Sequence, residues 1–212
     1  NHSVTIMAGL TEEEDSLLGS FGANAFSLSG SRAITSFTAI KAQKKIFDNI
    51  LLNGFASIAN TNMTSPTNSL IDSANGVKSS SVGFTANMNN LSSDDQLSLF
   101  INQPNRVEGG SIAIKVASLA DSKNNVNQTI KDINLSSSSR QVNYGISYRK
   151  DVNENLAFSV KHLITNNLNH RENSNQISSS YIGLNYKDLM LGFATNLHDS
   201  SIEAELSYEI IL

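Results

Sequence analysis

The sequence predicts an all-β chain, an antiparallel up-and-down β-barrel of about 10–12 strands with a short helix near its N-terminus. Three observations carry that expectation. Of the 212 residues, 39% are hydrophobic and only 16% charged, so Ser, Asn and Thr fill the polar positions, which suits sheet and turn better than surface helix. From about residue 80 apolar residues recur with a period of two. The residues alternating with them are mostly small.

Composition also removes several classes of function. A net charge of −4, with no run of Lys or Arg, offers no field for a nucleic acid. The absence of cysteine excludes disulfides, thiolate chemistry and Cys-ligated metals, and fits an envelope protein. No apolar run approaches the roughly 20 residues of a membrane-spanning helix. The longest, Ile46 to Leu52, is broken by Asp48 and Asn49. The chain opens at Asn1 without an initiator Met or signal-peptide pattern, as expected of a mature product or an excised piece.

Thr11-Glu12-Glu13-Glu14 has the spacing of a capping box, followed by Leu17, Leu18 and a stop at Gly19, and predicts a short helix. Residues 1–20 are therefore expected to be a linker with that helix, and residues 21–212 the β-domain. Lys41 to Leu52 reads equally well as helix or strand, since Ala42, Ile46 and Ile50 recur at helical spacing beside an extended-looking "NGFASIAN". The segments around Phe26, Phe37 and Phe55 are weaker strand candidates.

Val82, Phe84, Ala86 and Met88 alternate before the turn "NNLSSDD", and "LFINQPNRVEGGSIAIKV" then reads as a hairpin with Gly109-Gly110 as a turn. Val142, Tyr144, Ile146 and Tyr148 begin a series of hairpin-linked strands. It continues through Leu156, Phe158 and Val160, through Ile182, Leu184 and Tyr186, past a Lys187-Asp188 turn to Leu189, Leu191 and Phe193, and ends with Ile202 to Leu212. The polar stretches "NTNMTSPTNSLIDSANGVKSS", "DSKNNVNQT" and "NNLNHRENSNQ" read as connections.

A soluble β-sandwich and a membrane barrel both alternate, so the second face must decide between them. It carries Gly83, Ala113, Gly145, Ser147, Ala157, Ser159, Gly183, Gly192 and Ala194, with charges at Lys115, Arg149 and Lys161. Small residues opposite Leu, Ile, Val, Phe and Tyr suit a crowded polar lumen and a lipid-facing band, so the barrel is expected to be of outer-membrane type. Leu97, Leu99 and Ile101, then Ile112, Ile114 and Val116, are assigned to lipid, and Ser98, Asn102, Ala113 and Lys115 to the lumen. Glu203, Glu205 and Glu209 on the last strand would join Lys115, Arg149 and Lys161 in lumenal ion pairs, or line a pore. An aromatic content of 7% without Trp, and Leu212 in place of a terminal Phe, instead favour a soluble β-sandwich serving as a structural subunit of a surface assembly or fibre.

No residue pattern predicts catalysis, a cofactor or a metal. His198-Asp199-Ser200 are sequence neighbours that point in different directions and read as a turn, not a triad. His2, His162, His170 and His198 lie far apart without a carboxylate at ligand spacing. Glu12 to Asp15 reads as the helix N-terminus, and Gly109-Gly110 lacks the Lys and the following helix of a phosphate loop.

Two segments resemble a known family. "LSLFINQPNRVEGGSIAIKVA", Leu97 to Ala117, and "SSSSRQVNYGISYRKDVNENLAFSV", Ser136 to Val160, are similar in order and spacing to the C-terminal domain of subtilisin-like autotransporter serine proteases of Gram-negative bacteria. The matching positions are Gln103, Pro104, Arg106, Val107 and Gly109, then Arg140, Gln141 and Val142. A weaker likeness covers "GSFGANAFSLSG". Asn105 stands where the family has Leu, and about two strands extend beyond the family's usual end. The resemblance implies an outer-membrane translocator or anchor for a surface-exposed N-terminal passenger, with outer-membrane lipid and the barrel-assembly machinery as further partners. The passenger's Asp-Ser/Thr-Gly, His-Gly-Thr and Gly-Thr-Ser-Met motifs are absent from these residues, so no protease activity is expected of them.

Overall fold

The computed structural model describes residues 2–120, 126–172, 174–187, 189–196 and 201–208. They form an all-β, antiparallel, up-and-down sheet: β1 (His2–Glu14), β2 (Arg32–Phe47), β3 (Ile50–Met63), β4 (Ile71–Asn89), β5 (Asp95–Ala120), β6 (Val126–Asn134), β7 (Val142–Asn153), β8 (Leu156–Asn166), β9 (Ile177–Tyr186), β10 (Leu189–Asn196) and β11 (Ser201–Tyr208). Strand order follows chain order from β1 to β11, except that β6 leaves the path and pairs only with β5.

The expected closure into a barrel is not what the strands form. Among the described residues β1 and β11 are the two ends of an open sheet, each paired along one side. The expected helix is also replaced by strand: Thr11, Glu12, Glu13 and Glu14 complete β1 opposite Thr35, Ile34, Ala33 and Arg32. Pairing with β2 along the whole strand satisfies the inward-facing backbone groups of these residues, and this non-local register overrides the local capping signal. Arg32 Nη2 donates to Glu12 Oε2 at 2.6 Å, while Glu13 accepts from Ser16 Oγ at 3.1 Å and from the Gly19 amide at 3.0 Å.

Lys41 to Leu52 resolves as the β2–β3 hairpin, turning at Asp48 and Asn49. Phe37 and Phe55 lie in strands, but Phe26 closes a short 3₁₀ turn, Asn24–Phe26. Much of "NTNMTSPTNSLIDSANGVKSS" is strand, leaving 64–70 as the connection. The hairpins of β7 through β11 follow the alternation read from sequence. Asp188, His198 to Ser200, Glu209 and Leu212 lie outside the described residues.

"LFINQPNRVEGGSIAIKV" is not a hairpin. It runs inside β5, a single strand of 26 residues. Residues 95–102 pair with β7 and Ser111 to Ala120 with β6, and β5 is bulged against β4 between these segments. Each bulge inserts a residue and reverses which side the next residues face, and the two that lengthen β5, between Gln103 and Arg106 and between Val107 and Gly109, cancel one another. Gly110, at φ 114°, sits against Val77 and Gly76, the latter at φ 57°. A Cβ on Gly110 would lie 2.5 Å from Val77 Cα, so glycine is required there both by conformation and by space. Unbroken alternation along β5 corrects the facing read from sequence, because Ile101 and Ile112 are an odd number of residues apart in one strand and so face opposite sides. Leu99 and Ile101 stand exposed on one side, whereas Ile112 packs against the buried core on the other.

That core is small and sits at one end of the sheet. Leu28, Ala33, Met63, Ile71, Ala74 and Val77 form it, flanked by Leu17, Leu18, Val107, Ile112 and Leu135. The segment between β1 and β2 folds over it, tied by Leu70 N to Ala25 O at 2.7 Å, Thr67 N to Ser29 O at 2.8 Å, and Gly30 N to Asp15 Oδ1 at 2.6 Å. Below this covered end lies a broad tier that contains part of every strand except β6. One row there runs His2, Lys44, Leu52, Ala86, Leu99, Ile146, His162, Ser180, Thr195 and Ile202 across ten strands.

Candidate functional site

The register sorts the broad tier into two faces. One carries rows such as Val4, Ala42, Gly54, Phe84, Ile101, Tyr144 and Ile164, and Ile50, Met88, Leu97, Tyr148, Val160, Ile182 and Phe193. Among the described residues no second layer covers it. Phe84, Leu99, Ile101, Ile146, Ile182, Leu184 and Phe193 remain 41 to 54% exposed. Between β4 and β8 it forms a shallow groove of about 480 Å³ lined by Phe84, Leu99, Ile101, Tyr144, Ile146 and Ile164. Its polar interruption is His162, whose Nδ1 meets Ser180 Oγ at 2.9 Å.

The other face holds the small and polar residues, and the structure adds what composition did not reveal. Large rings from neighbouring strands lie across its glycines: Phe55 over Gly83, Phe100 over Gly145, and Tyr181 over both Gly183 and Gly192. A Cβ on Gly192 would stand 2.8 Å from Tyr181 Oη. Each ring thus occupies the space that the missing side chain vacates, covering backbone that glycine leaves bare. Lys161 sits 5.7 Å from the centroid of Phe100. Hydroxyl and amide pairs join adjacent strands on this face, as in Gln43 to Asn53 at 2.6 Å, Ser57 with Ser81 at 2.7 Å, and Ser98 to Asn87 at 2.7 Å.

The charges expected in the lumen have separate surroundings. Lys115 pairs with Asp72 at 3.4 Å and Arg149 with Asp151 at 2.9 Å. The register sets Glu203 in the row of Lys161 and Glu205 in the row of Arg149. Glu209 lies outside the described residues.

The two motif segments, more than thirty residues apart in sequence, meet in one polar clasp. After β6, residues 135–141 return along β5, with Leu135 N bonding Gly110 O at 3.0 Å and Ser137 N bonding Val107 O at 3.1 Å. Arg106 donates from Nε to Ser139 O at 2.8 Å, from Nη2 to Ser137 O at 2.7 Å, and from Nη1 to Glu108. Arg140 Nη1 donates to Gln103 Oε1 at 2.8 Å and to Glu108 Oε1 at 2.9 Å, and its Nη2 reaches Glu108 Oε2 at 3.1 Å. Ser80 Oγ adds a 2.6 Å bond to Glu108. That hydrogen bond, opposed by burial but reinforced by both guanidinium groups, holds the Glu108 carboxyl below its ordinary pKa. Gln141 gives its amide to His170 Nδ1 at 3.0 Å, and His170 Nε2 meets Asn105 O at 3.0 Å. Pro104 lies in the bulged stretch, where its missing donor costs least, and Val142 opens β7.

A second polar anchor lies at the opposite end of the sheet, where Asp95 caps the turn between β4 and β5. Burial opposes its ionisation, but the amides of Ser92 (3.2 Å) and Leu91 (2.7 Å), the Tyr148 hydroxyl (3.2 Å) and the Lys150 charge outweigh it and keep the carboxyl below its ordinary pKa. Among the described residues no three His, Asp or Glu side chains gather in a metal-binding arrangement. The clasp thus ties the two motif segments to one another, and among the described residues the apolar face is exposed. No protein-family model matches the chain, and no curated protein or solved structure matches it.

Proposed function

We propose that this chain is the membrane-embedded sheet of an outer-membrane β-barrel that anchors or exports a surface-exposed N-terminal passenger, with no catalysis of its own. The observation that carries this reading is the uncovered apolar face of the broad tier. In water it wastes the burial of its residues, each worth roughly 1.5–3 kcal/mol when fully buried. In lipid that same face is the stabilising one. Strand lengths agree: β7, β8 and β9 have 12, 11 and 10 residues, against about 9–11 for a tilted strand crossing the hydrocarbon.

Lipid does not tolerate an open edge, because unpaired amides and carbonyls there cost several kcal/mol each, roughly. The membrane form therefore closes β1 against β11, directly or through further strands. The passenger follows from the resemblance of the Gln103 to Gly109 and Arg140 to Val142 segments to subtilase autotransporter domains. Heat-modifiable migration of the detergent-refolded chain tests the barrel. A monodisperse sample without detergent, with no change on heating, defeats it. Whether the reading frame continues upstream of Asn1 into a protease domain tests the passenger.

The open edges favour one other reading, a soluble sheet that polymerises edge to edge into a surface fibre. Filaments growing in aqueous buffer, suppressed by a proline in β1, would establish it in place of the barrel.

A further inference from the structure

We propose that a groove at the border of the apolar face binds the headgroup of a phospholipid, with Lys78 contacting its phosphate. The inference rests on the membrane reading above and names a ligand for the same face. The groove, about 490 Å³, lies across β2, β3 and β4 and is closed by Glu108 of β5.

Its rows change chemistry in the order of an amphiphile. Ile6, Ile40 and Val82 form the row below and are exposed. The next row on that face carries Thr38, Ile58 and Ser80, and the one beyond it Ser36, Asn60 and Lys78. Four residues along a strand, about 13 Å, thus lead from aliphatic side chains through hydroxyls to an amide and an ammonium. Acyl chain, glycerol and phosphate succeed one another on the same scale.

Charge selects an anion. Among the described residues Lys78 has no ion pair or hydrogen bond, and the acid lining the groove, Glu108, is already engaged by Arg106, Arg140 and Ser80. Two guanidinium groups thus already match the one carboxylate before Lys78, which lines the same groove, is counted. Asn60 Oδ1 is buried without a hydrogen-bond partner, an acceptor that calls for a hydroxyl or ammonium donor. A phosphate diester such as phosphatidylglycerol brings the anion that the exposed Lys78 lacks.

The test uses the full chain in nonionic detergent and fluorescently labelled phosphatidylglycerol, read by anisotropy, with acyl-matched diacylglycerol and inorganic phosphate alongside. Phosphatidylglycerol should bind at least about tenfold more tightly than diacylglycerol, and Lys78→Gln should abolish about tenfold of that affinity, one charge-assisted contact. Lys44→Gln, on the same face but in a row below the groove, should leave binding unchanged. Equal binding by Lys78→Gln and wild type, or by diacylglycerol and phosphatidylglycerol, overturns the proposal. Full competition by equimolar inorganic phosphate overturns it too, by making this a simple anion site. Heat-modifiability of the same samples separates the two readings: a heat-modifiable chain indifferent to Lys78→Gln refutes the headgroup site alone, while a chain soluble without detergent that binds no lipid refutes both.

Discussion

The covered end and the broad tier are made of the same strands but hold together by different means. At the covered end, Thr61, Ala74 and Val77 are wholly buried and the connections 15–31 and 64–70 close over them. Its stability comes from side-chain burial, as in a soluble domain. In the broad tier, backbone pairing, rings laid on glycines and hydroxyl ladders do the holding, and the large aliphatic side chains stay outside. One sheet thus has an end that buries its aliphatic side chains and a tier that leaves them exposed.

The contrast is broken most severely at Gly110. Gly110→Val should destabilise by about 3 kcal/mol or more, because it combines a strained positive φ with collision against Val77 and Gly76. Chemical denaturation of the refolded protein measures it.

Next comes a pair that separates the two regions by solvent. Met63→Ala should cost about 2–5 kcal/mol in any medium, whereas Leu99→Ala should be nearly neutral in water, within roughly 0.5 kcal/mol, and cost about 1.5–3 kcal/mol in lipid vesicles. Equal effects in both media would remove the distinction.

Third, Glu108→Gln leaves Arg106 and Arg140 facing a neutral amide and should destabilise by about 1–2 kcal/mol, the lower part of the range for bonds to charged groups because the clasp is partly solvated. Arg140→Lys should not preserve stability, since an ammonium cannot bridge Gln103 and both Glu108 oxygens at once.

The smallest effect is acid sensitivity. Asp95 has a depressed folded-state pKa, so its stabilisation is complete above its unfolded value, about 3.9, and disappears as pH falls through the lower folded value. Glu108 behaves likewise from about 4.3 downward. Asp95→Asn should flatten the low-pH part of a stability titration and leave the neutral region parallel to wild type.

Legibility in the sequence followed the range of the interaction. The alternation of β7 to β10 is local, and it located those hairpins. The capping-box signal at Thr11 was local too, but the thirteen-residue register between β1 and β2 outweighed it. Pro104 and Gly109-Gly110 are turn residues in isolation, and only a partner strand reveals them as bulges in an unbroken β5. The small-residue face was visible, but the rings that cover it arrive from adjacent strands through register. The clasp was legible as two strings with a shared order. Their contact required β6 to leave the path and the chain to return along β5.

The rings laid over glycines also give the molecule an internal reporter. A methylene proton held against an aromatic face is shielded by the ring current, so the Hα signals of Gly83, Gly145 and Gly192 should move upfield together in magnetic resonance spectra. A slip of one residue between β3 and β4, β5 and β7, or β9 and β10 carries the ring to the opposite face and erases one shift alone. Three glycines without side chains would then read out, strand pair by strand pair, whether the sheet is aligned in water, detergent or membrane.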